Sequence, residues 1–372
     1  MFLIRRAKAS DLDLLLKLAK MVHFINLPAD KDIIAEKIER SRRSFQAVHD
    51  GTALSVKDGD RSAVGNSPIF MFVIEDISTG NPLGTSMIVA RMGGPGHPNI
   101  SFQLEKKHFF SEDLQQGTSH TVATLQLDES GPSEIGGLIL GPSFRRNPYK
   151  VGKQISLIRF HYMGLHRQQF ADRILAEMMA PITPDGHNTL WEYLGRRFIN
   201  LPYTEADKFC QRSREFMVSL LPREPIYLSL LPPEARKLVG QVGPDTVPAR
   251  RMLEELGFRY TNRVDPFDGG PHLEALTDQI PLVRETMSLS YAGVSPAKAA
   301  MATGFISVDH EDSDFRALYG QYALADDRKS VMLPQEVVEA LDVAEDDMIG
   351  ITPLDLKIHV PETKRWLTAS AT

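Results

Sequence analysis

One stretch constrains the fold of this chain more than any other. Ile135 to Leu140 is a short apolar run ended by Gly141 and Pro142, after which Arg145, Arg146, Lys150 and Lys153 crowd a bend around Gly152. An apolar-periodic segment then runs from about Gln154 to Phe170, and Arg173 to Met179 reads as another strand. Strand, basic glycine-containing bend, helix, strand is the order of a mixed sheet. Upstream, Ile69 to Ile77 and Leu83 to Arg91 flank the turn Ser78-Thr79-Gly80-Asn81-Pro82 and so form a hairpin. The fold class that follows is α/β (α+β), a mixed sheet flanked by helices.

The remaining segments fit that plan. Met1 to Arg6 reads as a strand, and Ser10, Asp11 and Asp13 start a helix striped by Leu12, Leu15, Leu16, Leu18 and Ala19. A second helix follows Pro28 and Asp30 to about Phe45; Gly51 to Pro68 reads as a mobile loop. Ile100 to Phe110 and His120 to Leu127 read as strands, Thr189 to Phe198 and Thr204 to Leu221 as helices. Val247 to Leu256 reads as a helix stopped by Gly257, with a strand at Phe258 to Val264. Beyond Glu274 the pattern weakens; Ser295 to Ala302 reads as a linker and Phe305 to Val360 as a small β-rich module with a short helix at Gln335 to Leu341. The expected domains are 1–290 and 300–372.

Composition narrows the function. With 372 residues, 42% hydrophobic and 24% charged, the chain is globular, with a core and about two or three domains. A net charge of -6 gives no overall pull towards nucleic acid or an anionic membrane. The single cysteine, Cys210, excludes an internal disulfide. No secretory h-region and no run of about 20 apolar residues is present, so a cytoplasmic setting is expected.

The basic bend is a candidate anion site, since bare N–H groups and the helix dipole favour a phosphate there. Asn147 and Gln154 break the Walker pattern and no GxGxxG run exists, which leaves a pyrophosphate of coenzyme A type or a solvated bend that merely caps a helix. No HExxH is present, and His161 and His166 are five apart, so no metal is expected; a GxSxG elbow is also missing, and Cys210 reads as a passive surface or half-buried thiol. Late in the first expected domain, Gly240 to Arg250 and Asp265 to Glu274 are dense in turn residues. Asp265, Asp268 and Glu274 are candidates for receiving a guanidinium or ammonium, beside the plainer reading of ordinary turns.

At these residues the chain resembles the arginine N-succinyltransferase family. The resemblance is carried in order by FLIRRAKASDLDLLLKLA near the start, LPAD at Leu27 to Asp30, FVIED at Phe72 to Asp76, SEIGGLILGPSFR at Ser133 to Arg145 and AEM at Ala176 to Met178. It continues through LWEYLGRRF at Leu190 to Phe198, PIY at Pro225 to Tyr227, GQVGP and PAR at Gly240 to Arg250, GFRY at Gly257 to Tyr260 and DPFDGGPHLEA at Asp265 to Ala275. DFRAL at Asp314 to Leu318 and LPQEVVEALDVAEDD beyond it are similar to the family's small terminal module. The latter segment also resembles swapped-hairpin modules of some transcription regulators, although its acidic run Glu345 to Asp347 disfavours DNA.

The resemblance implies a GNAT-like acyltransferase fold with succinyl-CoA against the strand that carries Leu138 and Ile139, its pyrophosphate near the helix start. Leu138 matches the family position for succinyl-CoA. The implied reaction transfers succinyl to the α-amine of arginine in arginine catabolism, within a homo-oligomer or a pair with a paralogous subunit. Glu177 and Glu134 match family positions and are reserve candidates for binding the amine or relaying its proton. Gly243 stands where the family has a histidine held to be the proton donor, and His272 stands where it usually has threonine, so His272 is the candidate replacement imidazole. A diverged acyltransferase with another amine or acyl-CoA, or a catalytically silent ligand-binding paralogue, are the alternatives.

Overall fold

A computed structural model describes residues 1–21, 27–52, 54, 67–183, 188–210, 213–296, 299–310, 312 and 314–357. The loop expected at Gly51 to Pro68 falls largely outside them. The strands are Phe2–Arg6 (β1), Ile69–Asp76 (β2), Asn81–Val89 (β3), Asn99–Ser111 (β4), Gln116–Asp128 (β5), Ser133–Leu140 (β6), Arg173–Glu177 (β7), Ile226–Tyr227 (β8), Arg259–Val264 (β9), Pro271–Leu276 (β10), Met287–Val294 (β11), Ala302–His310 (β12), Asp314–Leu324 (β13), Ser330–Leu333 (β14) and Met348–Pro353 (β15). Among the described residues they form one sheet in the order β12-β15-β11-β14-β13-β1-β2-β3-β6-β7-β10-β9-β4-β5-β8. Because β12 also pairs with β13, the strands β11 to β15 close into a small barrel. The rest is an open mixed sheet, in which β6 and β7 run parallel and their neighbours antiparallel.

The helices are Leu12–Ala19 (α1), Lys31–His49 (α2), Val151–Leu165 (α3), Thr189–Tyr193 (α4), Gly195–Phe198 (α5), Tyr203–Cys210 (α6), Glu215–Leu220 (α7), Pro233–Arg236 (α8), Val247–Glu255 (α9), Pro281–Arg284 (α10) and Gln335–Leu341 (α11). Asp30 starts α2 by accepting the backbone N–H groups of Asp32 and Ile33. The unbroken run Ile69 to Ile74 lacks polar alternation because β2 is covered on both faces. Phe70, Phe72 and Ile74 pack with α3, while Ile69, Met71 and Val73 pack with Leu15, Leu18, Ile34 and Ile38 of α1 and α2. No helix among the described residues is long and apolar enough to cross a membrane.

Helix α3 is buried nearly all round, polar Ser156, Arg159 and His161 included, so it is a central rod and not a surface helix. His161 joins it to the barrel, its Nδ1 2.6 Å from Thr352 Oγ1 and its Nε2 2.7 Å from Ser307 Oγ.

Several sequence expectations need correction. The helix expected at Gln154 to Phe170 ends at Leu165 and gives way to a short 3-10 turn. Thr189 to Phe198 is divided at Leu194, where Gly195 lies so close under the Trp191 ring that a side chain would not fit. The helix expected at Thr204 to Leu221 is two, α6 and α7. Beyond Glu274, where the pattern weakens, β11 is a full strand and its Leu289 packs into the barrel. Cys210 is neither surface nor half-buried: it sits in the core with Sγ 3.5 Å from Met217 Sδ, and burial pushes its thiol up to about 12.

Candidate functional site

Strands β6 and β7 are in register only at Ser133 with Ile174 and Glu134 with Leu175. Beyond that point they part. On its other side β6 stays paired with β3, with a bulge between Gly136 and Ile139 where Gly137 takes a φ of 57°. From Ile135 onward the β7-facing edge of β6 therefore has no strand partner among the described residues, and its backbone groups border a cavity of about 980 Å³.

One end of the cavity is the basic bend. Arg145, Arg146, Lys150, Gly152 and Lys153 all line it, together with Leu138 and Ile139 of β6. Arg146 and Lys150 hold left-handed backbone, with φ of 59° and 55°, and the bend is braced from within. Asn147 Oδ1 accepts the Tyr149 N–H at 2.9 Å, and Gln154 Nε2 donates to the Tyr149 carbonyl at 2.8 Å. No side chain caps the start of α3, so its positive end is open to an anion. Arg145 reaches across the mouth to Asp245 Oδ2 at 3.5 Å.

The other end is acidic. On β7 the residues Ile174 and Ala176 face α3, so Glu177 points to the opposite face, beside its ladder partner His272 on β10. Glu177, Asp265, Asp268 and Tyr203 line the cavity. Burial raises the Glu177 carboxyl above its ordinary range, against the pull of Arg214 and a hydrogen bond from the Asn99 side chain. Asp265 is raised by burial and by Glu177. Burial and then Asp265 push Asp268 up to about 8, although its carboxylate accepts the Gly270 and Ala180 N–H groups at 2.7 and 2.9 Å. Asp268 is thus also a brace of the loop, and Asp265 holds the same turn through Oδ1, which accepts the N–H groups of Phe267 and Asp268.

His272 is 1% exposed, on a strand and not in a loop as the turn-rich sequence suggested. Its Nε2 lies 3.8 Å from Glu177 Oε1, a contact and not a hydrogen bond, and burial pulls the imidazole down to about 4. It does not line the cavity; it stands beside Glu177 on the same face of the sheet. Glu134 is wholly buried on the same face, in the field of Lys37 and Arg214. Burial lowers the Lys37 amine to about 8. Glu274 is not brought to the cavity: Arg173 Nη1 holds it at 2.8 Å and Arg263 Nη1 at 3.6 Å, with Asp128 sharing both arginines. Donor atoms of Glu177, Asp265 and His272 lie within 4.8 Å of one another, a spacing that suits an ammonium as well as a metal ion. Gly243 is buried beside this end, its N–H donating to the Met179 carbonyl at 3.0 Å, and a Cβ there would have ordinary room.

Arg159, Tyr203, Asn99, Arg214 and Lys37 escaped the sequence reading. Arg159 alone carried a signal, as a lone charge in the apolar run SLIRFHYM. The others come from distant segments that only the fold collects.

A family model described as arginine N-succinyltransferase beta subunit matches residues 2–282. An arginine N-succinyltransferase of Enterobacter sp. (strain 638) is 32% identical over 323 residues, covering 86% of this chain and 88% of the relative. One from Escherichia coli (strain 55989 / EAEC) is 30% identical over 359 residues, covering 95% and 98%. The solved structure of arginine/ornithine succinyltransferase subunit AI from Pseudomonas aeruginosa matches with a TM-score of 0.74 and 28% identity, covering 95% of this chain and 98% of that one.

Proposed function

The chain belongs to the arginine N-succinyltransferase family, and from that membership we propose that it is a transferase that moves a succinyl group from succinyl-CoA to the α-amine of L-arginine. The observation that carries this reading is the continuity of one cavity from the basic bend, through the parting of β6 and β7, to Glu177 and Asp265. A parallel pair that parts around a cavity, with a helix crossing between, also supports a GNAT-like description of the fold.

In this reading the bend and the start of α3 take the pyrophosphate of the donor. The pantetheine arm lies along the open edge of β6, where its amides answer backbone groups that no strand satisfies. N–H groups of the same edge polarise the thioester carbonyl. Arginine enters from the acidic face, its guanidinium towards Asp265 and Asp268 and its α-ammonium at Glu177. Burial makes Glu177 a better base than a solvated carboxylate, so it takes the ammonium proton. The freed amine nitrogen bonds to the carbonyl carbon, the carbon–sulfur bond breaks with its electron pair going to sulfur, and the nitrogen's second proton passes to the departing thiolate, so that CoA leaves as the thiol. His272 acts as a positioning residue beside Glu177. The core-buried, single Cys210 supports a cytoplasmic setting.

A thiol-release assay with succinyl-CoA and a panel of amines tests this. Release with arginine, and formation of N2-succinylarginine, supports the reading; release with a different amine alone marks a diverged acceptor, and CoA binding without release with any amine marks a silent paralogue.

A further inference from the structure

We propose that Arg159 binds the free carboxylate of the succinyl group and so selects dicarboxylic over monocarboxylic acyl donors. The inference rests on the succinyl-CoA reading above and assigns the acyl end of the same cavity. Arg159 lies within α3, 3% exposed, and lines the cavity between the basic bend and the acidic end. Its Nε donates to the Ser156 carbonyl at 2.8 Å, one Nη to Ser156 Oγ at 2.8 Å and the other to the Gly136 carbonyl at 3.4 Å. Gly136 is on the stretch of β6 just past its parting from β7, which places the guanidinium where the two strands separate.

No carboxylate of a described residue forms an ion pair with it. Of the other cations that line the cavity, Arg145 faces Asp245, and Arg146, Lys150 and Lys153 belong to the bend at its far end; Arg214, in the field of Glu177 and Glu134, is not a lining residue. Burial alone pulls the Arg159 guanidinium down to about 9, with no acid opposing the shift. A buried cation without an anion is costly, and a strut between α3 and β6 needs only neutral hydrogen bonds. Three of the five N–H bonds are used within the protein, which leaves one on each terminal nitrogen for a carboxylate. A succinyl thioester supplies that carboxylate two methylenes beyond its reacting carbon.

Butyryl-CoA, which has a methyl in place of the carboxylate, is the discriminating probe. Wild-type protein should use succinyl-CoA on the order of 10² or more better than butyryl-CoA in kcat/KM, as for a site built around one polar substrate group. Arg159→Met should erase that preference, lowering the succinyl rate about 10²-fold while the butyryl rate holds or rises and inhibition by free CoA is unchanged. Arg159→Lys, which keeps the charge, should retain part of the preference and guards against a Met variant that does not fold. Equal use of both donors by wild-type protein, or an equal fall for both in the variants, overturns the role of Arg159. Thiol release from neither donor in wild-type protein with any amine would overturn instead the acyl-transfer reading on which it rests.

Discussion

His272 stands opposite Glu177 in the β10–β7 ladder on the same face of the sheet, its Nε2 3.8 Å from Glu177 Oε1, while Glu177 and not His272 lines the cavity. The imidazole expected to replace the family histidine therefore stands beside the Glu177 carboxylate and not in the cavity wall. In the proposed reaction Glu177, which lines the cavity, is the group that moves the proton.

Glu177→Gln should lower kcat by about 10² to 10³ with little change in CoA affinity, since it removes the base and leaves the bend intact. His272→Leu should cost less, about tenfold. Because burial raises the Glu177 carboxyl, wild-type kcat should fall as pH drops through that raised value, and His272→Leu should move this acid limb upward by removing a polar neighbour of the carboxylate. Stopped-flow thiol release across pH checks both; an unchanged profile in Glu177→Gln would remove its role.

In the proposed reading the bend acts on the donor alone. Arg146→Ala with Lys150→Ala should raise KM for succinyl-CoA about tenfold and leave kcat nearly constant, the pattern of lost uniform binding. The wild-type KM should rise with ionic strength more steeply than that of the double variant.

His161 reports on the joint between α3 and the barrel. Burial pulls its imidazole down to about 3, so between there and about 6.5 the unfolded chain binds the extra proton and the folded chain does not. Stability is fully present above pH 6.5 and is lost as pH falls towards 3. His161→Phe should cost roughly 1–3 kcal/mol at neutral pH by orphaning the Ser307 hydroxyl, Thr352 keeping its hydrogen bond with Thr286, and should flatten that acid slope. Urea melts at several pH values measure both.

Gly270 allows the loop before β10 to lie against the end of β7. A Cβ there would run into the Met178 carbonyl oxygen and crowd Asp268 Oδ1 at 2.9 Å, so Gly270→Ala should cost about 3 kcal/mol and depress turnover. Gly94→Ala, where a Cβ meets nothing within 4 Å, is the matched control and should be near neutral in thermal melts.

Local pattern made part of this site readable before the fold was known. The order of strand at Ile135 to Leu140, basic bend, helix and strand from Arg173 was legible because each is written in neighbouring residues, although the last strand stops at Glu177 and not at Met179. The same reading put Leu138, Ile139, Arg145, Arg146, Lys150, Gly152 and Lys153 together, and the cavity gathers all of them. His272 and Glu274 were misread as loop residues, since Gly269-Gly270-Pro271 looks like a turn while Pro271 in fact opens β10, a position proline tolerates. Glu274 looked available for a substrate because its partners Arg173 and Arg263 come from other strands. Lys37 and Arg214, whose charges offset Glu134 and Glu177, lie in helix α2 and just before α7, and no local periodicity links them.

The most direct measurement is a crystal structure of the protein with CoA and N2-succinylarginine. The account predicts pyrophosphate oxygens within hydrogen-bond reach of the Arg145 to Lys153 bend, the thiol where β6 and β7 part, and the product's amide nitrogen beside Glu177. CoA seated outside that cavity, or succinylarginine bound away from Glu177 and Asp265, would contradict it.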